Sequence, residues 1–308
     1  MKKLIKWLCI GIIVIVIIGA ALSGGDSKKE KKDIVSANGT TVAGENTNKG
    51  DTEETHEVED TQIGEQVLLE QNGIRIIAKE YVDDSIFGEG IKLQIENTSN
   101  IDLTVGCDAL IVNDYMITDL FSSKVTAGKT SNETMYLLSD QLEAAGIENV
   151  GKVEIYFRAY DDEYTNIFEN VYAMIQTSSF AEMDTTPNDG GIELYNAGGI
   201  RIVGQAVDED SFWGAGILLY CENNSDKNVN ITAVDVSING IMIDSALFSN
   251  QVYAGKRCVD DITLFSSALE ENGITSIDNV ELKFHISNIN DYSDLIETDT
   301  ITFSTQTN

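Results

Sequence analysis

The sequence predicts an all-β protein made of two antiparallel two-sheet sandwiches in tandem, each carrying one short helix. Three observations lead there. The stretch from about residue 64 to 177 recurs from about 190 to 305: Gly73-Ile74-Arg75-Ile76 returns as Gly199-Ile200-Arg201-Ile202, and Asp84-Ser85-Ile86-Phe87-Gly88 returns as Asp210-Ser211-Phe212-Trp213-Gly214. A repeat this long denotes two folded domains, since solenoid units are shorter. Within each copy apolar and polar residues alternate, and the alternating runs are bounded by Gly, Asn, Asp and Ser.

The 308 residues divide by composition. Residues 1–6 hold three lysines, and residues 7–22 are uncharged and apolar, with Ile12 to Ile18 all aliphatic. That run is expected to be a transmembrane signal-anchor helix behind a short cytoplasmic tail, its reach extended by Leu4, Ile5 and snorkelling lysines. The alternative is secretion after cleavage at the small residues Gly19-Ala20-Ala21. Gly25 stands where a lipoprotein box needs its acylated cysteine. Residues 23–62 are polar and lack aromatic side chains, so a disordered stalk is expected there. The repeats are placed at 63–180 and 192–308, joined by a linker at 181–191 that holds the chain's one proline, Pro187.

Asp and Glu total 51 against 20 Lys and Arg, a formal net charge of −31. Nucleic-acid binders need a basic footprint to displace counterions, so DNA and RNA are excluded as partners. The same field keeps an exported protein soluble and leaves divalent cations and basic partners open.

The elements follow in order. Residues 73–81 and 199–207 open on glycine and are rich in β-branched residues, which suits strands. Ile91, Leu93 and Ile95 alternate with Lys92, Gln94 and Glu96, the pattern of a strand with one wet face; Ile217, Leu219 and Cys221 keep the phase. Both strands end in Glu-Asn, where the Asn side chain can hold a turning backbone. Strands at 103–112 and 229–238 run into Asn113-Asp114 and Asn239-Gly240, two-residue hairpin turns in which both residues tolerate positive φ. Ser267 and Glu270 have capping-box spacing, and Gly273 marks a stop, giving a short helix whose twin ends at Gly146. Alternating strands at 153–157 and 280–284 and terminal strands near 171–177 and 300–304 complete each copy.

Gly-Ile-Arg-Ile, the Glu-Asn corner, Ala127-Gly128-Lys129 with its twin Ala254-Gly255-Lys256, and the helix-then-strand order together resemble the immunoglobulin-like domains of Gram-positive membrane-anchored or secreted surface proteins. The resemblance covers both repeats and implies a fold and an extracytoplasmic location; it carries no functional residues.

The shared residues are mostly Gly, Asn, Ser and aliphatics, a folding set rather than a catalytic one. The two histidines, His56 in the stalk and His285 on a strand, recur in neither copy, so no nucleophile-and-base pair is duplicated, and no enzyme is expected. Cys221 and Cys258 share the inward phase of their strands and are read either as a disulfide or as buried free thiols. The loops with Asp83, Asp84, Asp208 and Asp210 offer hard oxygen ligands for Ca²⁺, or simply a solvated acidic face. Phe87 and Trp213 offer an aromatic platform for a sugar or peptide, or plugs for the sandwich ends. Apart from that calcium reading no cofactor is expected. The functional expectation is a non-catalytic, single-pass cell-membrane module that binds, adheres or scaffolds outside the cytoplasm, with a protein or carbohydrate ligand. The alternative is an envelope sensor or regulator acting through a partner membrane protein. The sequence leaves the oligomeric state open.

Overall fold

The computed structural model describes residues 32–36, 61–84, 88–211 and 213–306, and these form almost entirely antiparallel β-structure. The expected anchor at 7–22, most of the expected stalk, and Phe87 lie outside the described residues. No helix among the described residues is long and apolar enough to cross a membrane. The chain divides into two compact units, one over Gln62–Thr186 and the other over Pro187–Asn308 together with a strand at Lys32–Ser36 (β1). The expected linker is thus shared between the units: Ser178–Glu182 forms a 3₁₀ turn that belongs with the first.

In the first unit one sheet is built from Gln66–Gln71 (β2), Ile74–Asp84 (β3), Gly88–Asn97 (β4) and, after three intervening strands, Lys129–Tyr136 (β8). Those three, Leu103–Val112 (β5), Tyr115–Ile117 (β6) and Ser122–Val125 (β7), join Lys152–Asp161 (β9) and Asn166–Gln176 (β10) in the other sheet. Helix α1, Ser139–Ala145, connects β8 to β9. Alternation does what hydrophobic burial requires: Ile91, Leu93 and Ile95 on β4 are fully buried, as are Leu103 and Val105 on β5 and Ile155 and Phe157 on β9. Lys92 between them is exposed.

The second unit repeats the order with Ile192–Ala197 (β11), Ile200–Ser211 (β12), Gly214–Asn223 (β13), Val229–Ile238 (β14), Ile241–Met242 (β15), Ser249–Val252 (β16), Lys256–Phe265 (β17), Ser266–Glu271 (α2), Asn279–Asn288 (β18), Asp294–Glu297 (β19) and Ile301–Gln306 (β20). β11, β12, β13 and β17 pair in sequence, while β14 pairs β15, β16 and β18, and β18 pairs β19 and β20. The correspondence extends to irregularities. β2 against β3 slips between Val67 and Leu69, and β11 against β12 between Glu193 and Tyr195. β3 against β4 slips after Ala78, and β12 against β13 after Gly204, its equivalent. An extra residue increases local twist and redirects a strand, so a repeated bulge is a repeated structural device.

The duplicated polar residues hold backbone. Asn97 is buried; its Nδ2 donates to the carbonyls of Ile101 at 2.9 Å and Val125 at 2.8 Å, and its Oδ1 accepts from Ser99 N and Oγ. Asn223 makes the same four bonds, to Lys227 O, Val252 O and Ser225. The hairpin asparagines have a second task besides positive φ. Asn113 Nδ2 donates to Asn149 O, and its Oδ1 accepts from the N–H groups of Gly151 and Lys152; Asn239 does likewise with Ser276, Asp278 and Asn279. Each hairpin tip thereby clamps the entry of the later strand, β9 or β18. Asp102 and its equivalent Asn228 accept from Ala127 N and Ala254 N, which fixes both Ala-Gly-Lys turns.

Two expectations are corrected in detail. The capping box does not form: the residue before α2 is Phe265, and Ser266 donates its hydroxyl to Trp213 O at 3.0 Å, so the helix start is held by the neighbouring strand end instead. The C-terminal stops do form. Gly146 and Gly273 take φ of 71° and 67°, and Ile147 and Ile274 donate back five residues to Leu142 O and Leu269 O. Within the segment expected to be a featureless stalk, Lys32–Ser36 is a strand of the second unit.

Candidate functional site

A polar concavity lies in the first unit, beside the β3–β4 turn and α1. Its volume is about 480 Å³, and Asp83, Glu89, Glu143 and Glu148 line it together with Ser139 and Leu142. No Lys or Arg lines it. Asp83 and Glu89 sit directly opposite each other across β3 and β4, a like-charge pair that sheets ordinarily avoid. Burial raises the Glu89 carboxyl above its usual range, and the charge of Asp83 adds to that effect. The buried Tyr81 hydroxyl faces the same carboxylate, and its own pKa is driven upward by burial and by Glu89. Gly88, at φ 78°, lets the turn pass against Ser139 of α1 where a Cβ would collide with the Ser139 hydroxyl. A groove of this size and charge suits a small or extended cationic group, an ammonium or guanidinium.

The second unit treats the equivalent residues differently. Glu209, the counterpart of Asp83, accepts the Ile277 N–H at 2.7 Å and so serves to anchor the start of β18. Glu89 is replaced by Ala215, which is buried. Acidic groups gather instead on β17. Asp261 is raised to about 6, first by burial, then by the charge of Asp260 and, more weakly, of Asp208. Thr263 donates its hydroxyl to Asp261, and Gly216 leaves the space that the carboxylate occupies.

The aspartates expected as calcium ligands in the loop of each repeat are placed as follows. Asp83 lines the groove, Asp208 lies near Asp261, and the side chains of Asp84 and Asp210 lie outside the described set. Among the described residues no three carboxylate, imidazole or thiol groups converge as a metal site. Trp213 is 37% exposed, its ring edge-on to Phe265 at 6.4 Å. His285 Nε2 meets Asp294 at 2.8 Å on the wet face of β18, as a solvated pair.

Of the two readings of the cysteines, the structure has the buried free thiols. Cys221 and Cys258 lie in adjacent strands of one sheet, directly opposite in register, and both are buried. Hydrogen bonding to Cys221 and burial push the Cys258 thiol well up. Opposed residues in an antiparallel pair have Cα atoms roughly 4.5–5.5 Å apart, within the range a disulfide bridges. Cys107 is a buried free thiol in the first unit.

The groove itself was not legible in the sequence. Glu143 and Glu148 lie on and after α1, some sixty residues from Asp83, and only the packing of α1 beside the β3–β4 turn assembles them.

No protein-family profile matches the chain, and no curated protein matches it. Among solved structures it is similar to the Salmonella enterica SafA pilin in complex with the SafB chaperone, at 13% identity over 70% of this chain and 88% of that one, with a TM-score of 0.22. A protein of unknown function from Porphyromonas gingivalis W83 matches at 10% identity over 68% and 88%, TM-score 0.18. Red sea bream transglutaminase matches at 10% identity over 75% of this chain and 30% of that one, TM-score 0.16. Likenesses at this level carry no functional argument.

Proposed function

We propose that this is a membrane-tethered, extracytoplasmic pair of immunoglobulin-like sandwiches of the Gram-positive surface-protein kind, and that it binds or scaffolds other molecules without catalysis. The apolar run at 7–22 supports the tether. The acidic groove of the first unit carries the binding reading: four carboxylates line a space of about 480 Å³, and no imidazole or thiol lines it. Its chemistry is recognition by charge, and the partner it fits is a protein segment bearing Lys or Arg.

A second reading, an envelope sensor acting through a partner membrane protein, has one observation in its favour. Two of the groove's carboxylates are not repeated: Ala215 and the engaged Glu209 stand in the second unit where the first has Glu89 and Asp83.

Protease treatment of intact cells tests the location; the chain should be degraded without lysis, and protection would refute the topology. Anisotropy titration of the purified chain with a lysine-rich peptide tests the site. Binding should weaken with salt, persist in EDTA and drop on Glu89→Gln with Glu143→Gln. A salt-independent or groove-independent signal would refute it.

A further inference from the structure

The strand Lys32–Ser36 reaches the second unit from far upstream, and the unit is shaped to receive it. β1 pairs antiparallel with β12 through Lys32 opposite Val207 and Asp33 opposite Ala206. On its other side it pairs with β20 from Asp33 opposite Gln306 to Ser36 opposite Phe303. It therefore lies between β12 and β20 and joins them into one continuous sheet. Ile34 is 3% exposed. Beneath it lies Gly204, where an added Cβ would come within 2.9 Å of Ile34 Cδ1 and 3.3 Å of Ile34 Cγ2. The position equivalent to Gly204 in the first unit is Ala78.

The first unit closes the same edge with its own adjoining chain. Thr177 and Thr305 are structural equivalents, each donating its N–H and its hydroxyl to the carbonyls that precede β9 or β18. Next to Thr177, Ser178 exchanges two hydrogen bonds with Gln62, the residue that leads into β2. In the second unit the residues leading into β11 turn elsewhere: Asn188 O accepts from Gln205 Nε2, and Asp189 holds Arg201 at 2.7 Å. The edge beside Thr305 is left to β1. At the bulge after Gly204, β12 changes partner from β11 to β1.

We propose that β1 is an exchangeable strand, and that the seat between β12 and β20 accepts the 32–36 strand of a second copy of this chain, joining molecules by strand exchange. The seat is cut for Ile34, and every copy carries that residue. The swapped strand would make the same backbone bonds as the resident one, so exchange costs no contacts. Only five residues and one buried side chain described on them must release, which places β1 among the least stable elements of its unit. Residues 37–60 separate β1 from the first unit and contain no Phe, Tyr or Trp. Twenty-odd residues extend to at most about 80 Å, enough to reach a neighbouring molecule. Opposing this is a charge of −31 on each copy, so association should increase as salt screens the repulsion.

Cross-linking in the full chain tests the proposal. Val35 and Ser304 are opposed in register. A chain carrying both Val35→Cys and Ser304→Cys should form the link internally on oxidation, establishing the seat. Two differently tagged chains, one with Val35→Cys and one with Ser304→Cys, should on mixing form a hetero-linked dimer whose yield rises with concentration and salt. Ile34→Lys, a change confined to β1, and Gly204→Val should each abolish it. An internal link without the mixed dimer at any concentration would show a permanent resident strand and overturn the proposal, as would the absence of both links.

Discussion

Replacing Asn223 with alanine should unfold the second unit at markedly lower denaturant and leave the first unit almost unchanged. The side chain is fully buried and uses both amide donors and its acceptor. Its bond to Val252 O lies in the interior at 2.8 Å, and truncation strands that carbonyl away from water. An unsatisfied buried carbonyl costs about 1–3 kcal/mol. The other three bonds serve the turn at Ser225 and Lys227, where water can replace them, and together their loss adds about 1 kcal/mol. The expected total is about 2–4 kcal/mol, which for a domain with a urea slope near 2 kcal/mol/M lowers the midpoint by about 1–2 M. Trp213 lies in the second unit, and its fluorescence during urea titration reports on that unit. Asn97→Ala, the same change in the first unit, is the control and should leave the Trp213 transition in place. A shift below about 0.5 kcal/mol for Asn223→Ala would refute the claim that these duplicated asparagines hold the sandwich corners.

Other expectations follow from the same geometry. The folded pKa of Asp261, about 6, lies above the ordinary carboxylate value, so the folded state binds the proton more tightly and stability falls as pH rises from about 4 to 6. Asp261→Asn should flatten that slope and, with a discount for partial exposure, stabilise the second unit at pH 7 by roughly 1–2 kcal/mol in urea titrations at several pH values. Mild oxidation with diamide should link Cys221 to Cys258 and leave Cys107 reduced, as read by non-reducing peptide mapping; a link involving Cys107 would contradict the register. Gly199→Ala should destabilise by about 1–3 kcal/mol in thermal unfolding, because Gly199 has φ 81° and its Cβ would meet Ser225 N at 2.9 Å. Trp213→Ala should destabilise the second unit by about 2–4 kcal/mol in thermal unfolding followed by circular dichroism, since the residue is only 37% exposed and its ring packs edge-on against Phe265.

Much of the architecture was written locally. Period-two alternation in β4 and β13, the Asn113-Asp114 and Asn239-Gly240 turns, and the glycines at 146 and 273 are short-range signals, and each corresponds to an observed strand, hairpin or helix stop. Such features follow from the φ/ψ preferences and burial of neighbouring residues, so the order of letters suffices. The Ser267–Glu270 spacing failed for a reason outside its own segment: the Trp213 carbonyl takes the serine next to it.

What only tertiary structure decided involves partners distant along the chain. That Asn97 reaches Val125, that Cys221 meets Cys258 within one sheet, and that Asp83 and Glu143 share a groove depend on which strands and helix become neighbours. The strand at 32–36 is the clearest case. Its composition reads as polar connection, because five residues bury too little apolar surface to order themselves. Only the open edges of β12 and β20, with the hollow left by Gly204, give Ile34 a place to be buried and the backbone partners that make it a strand.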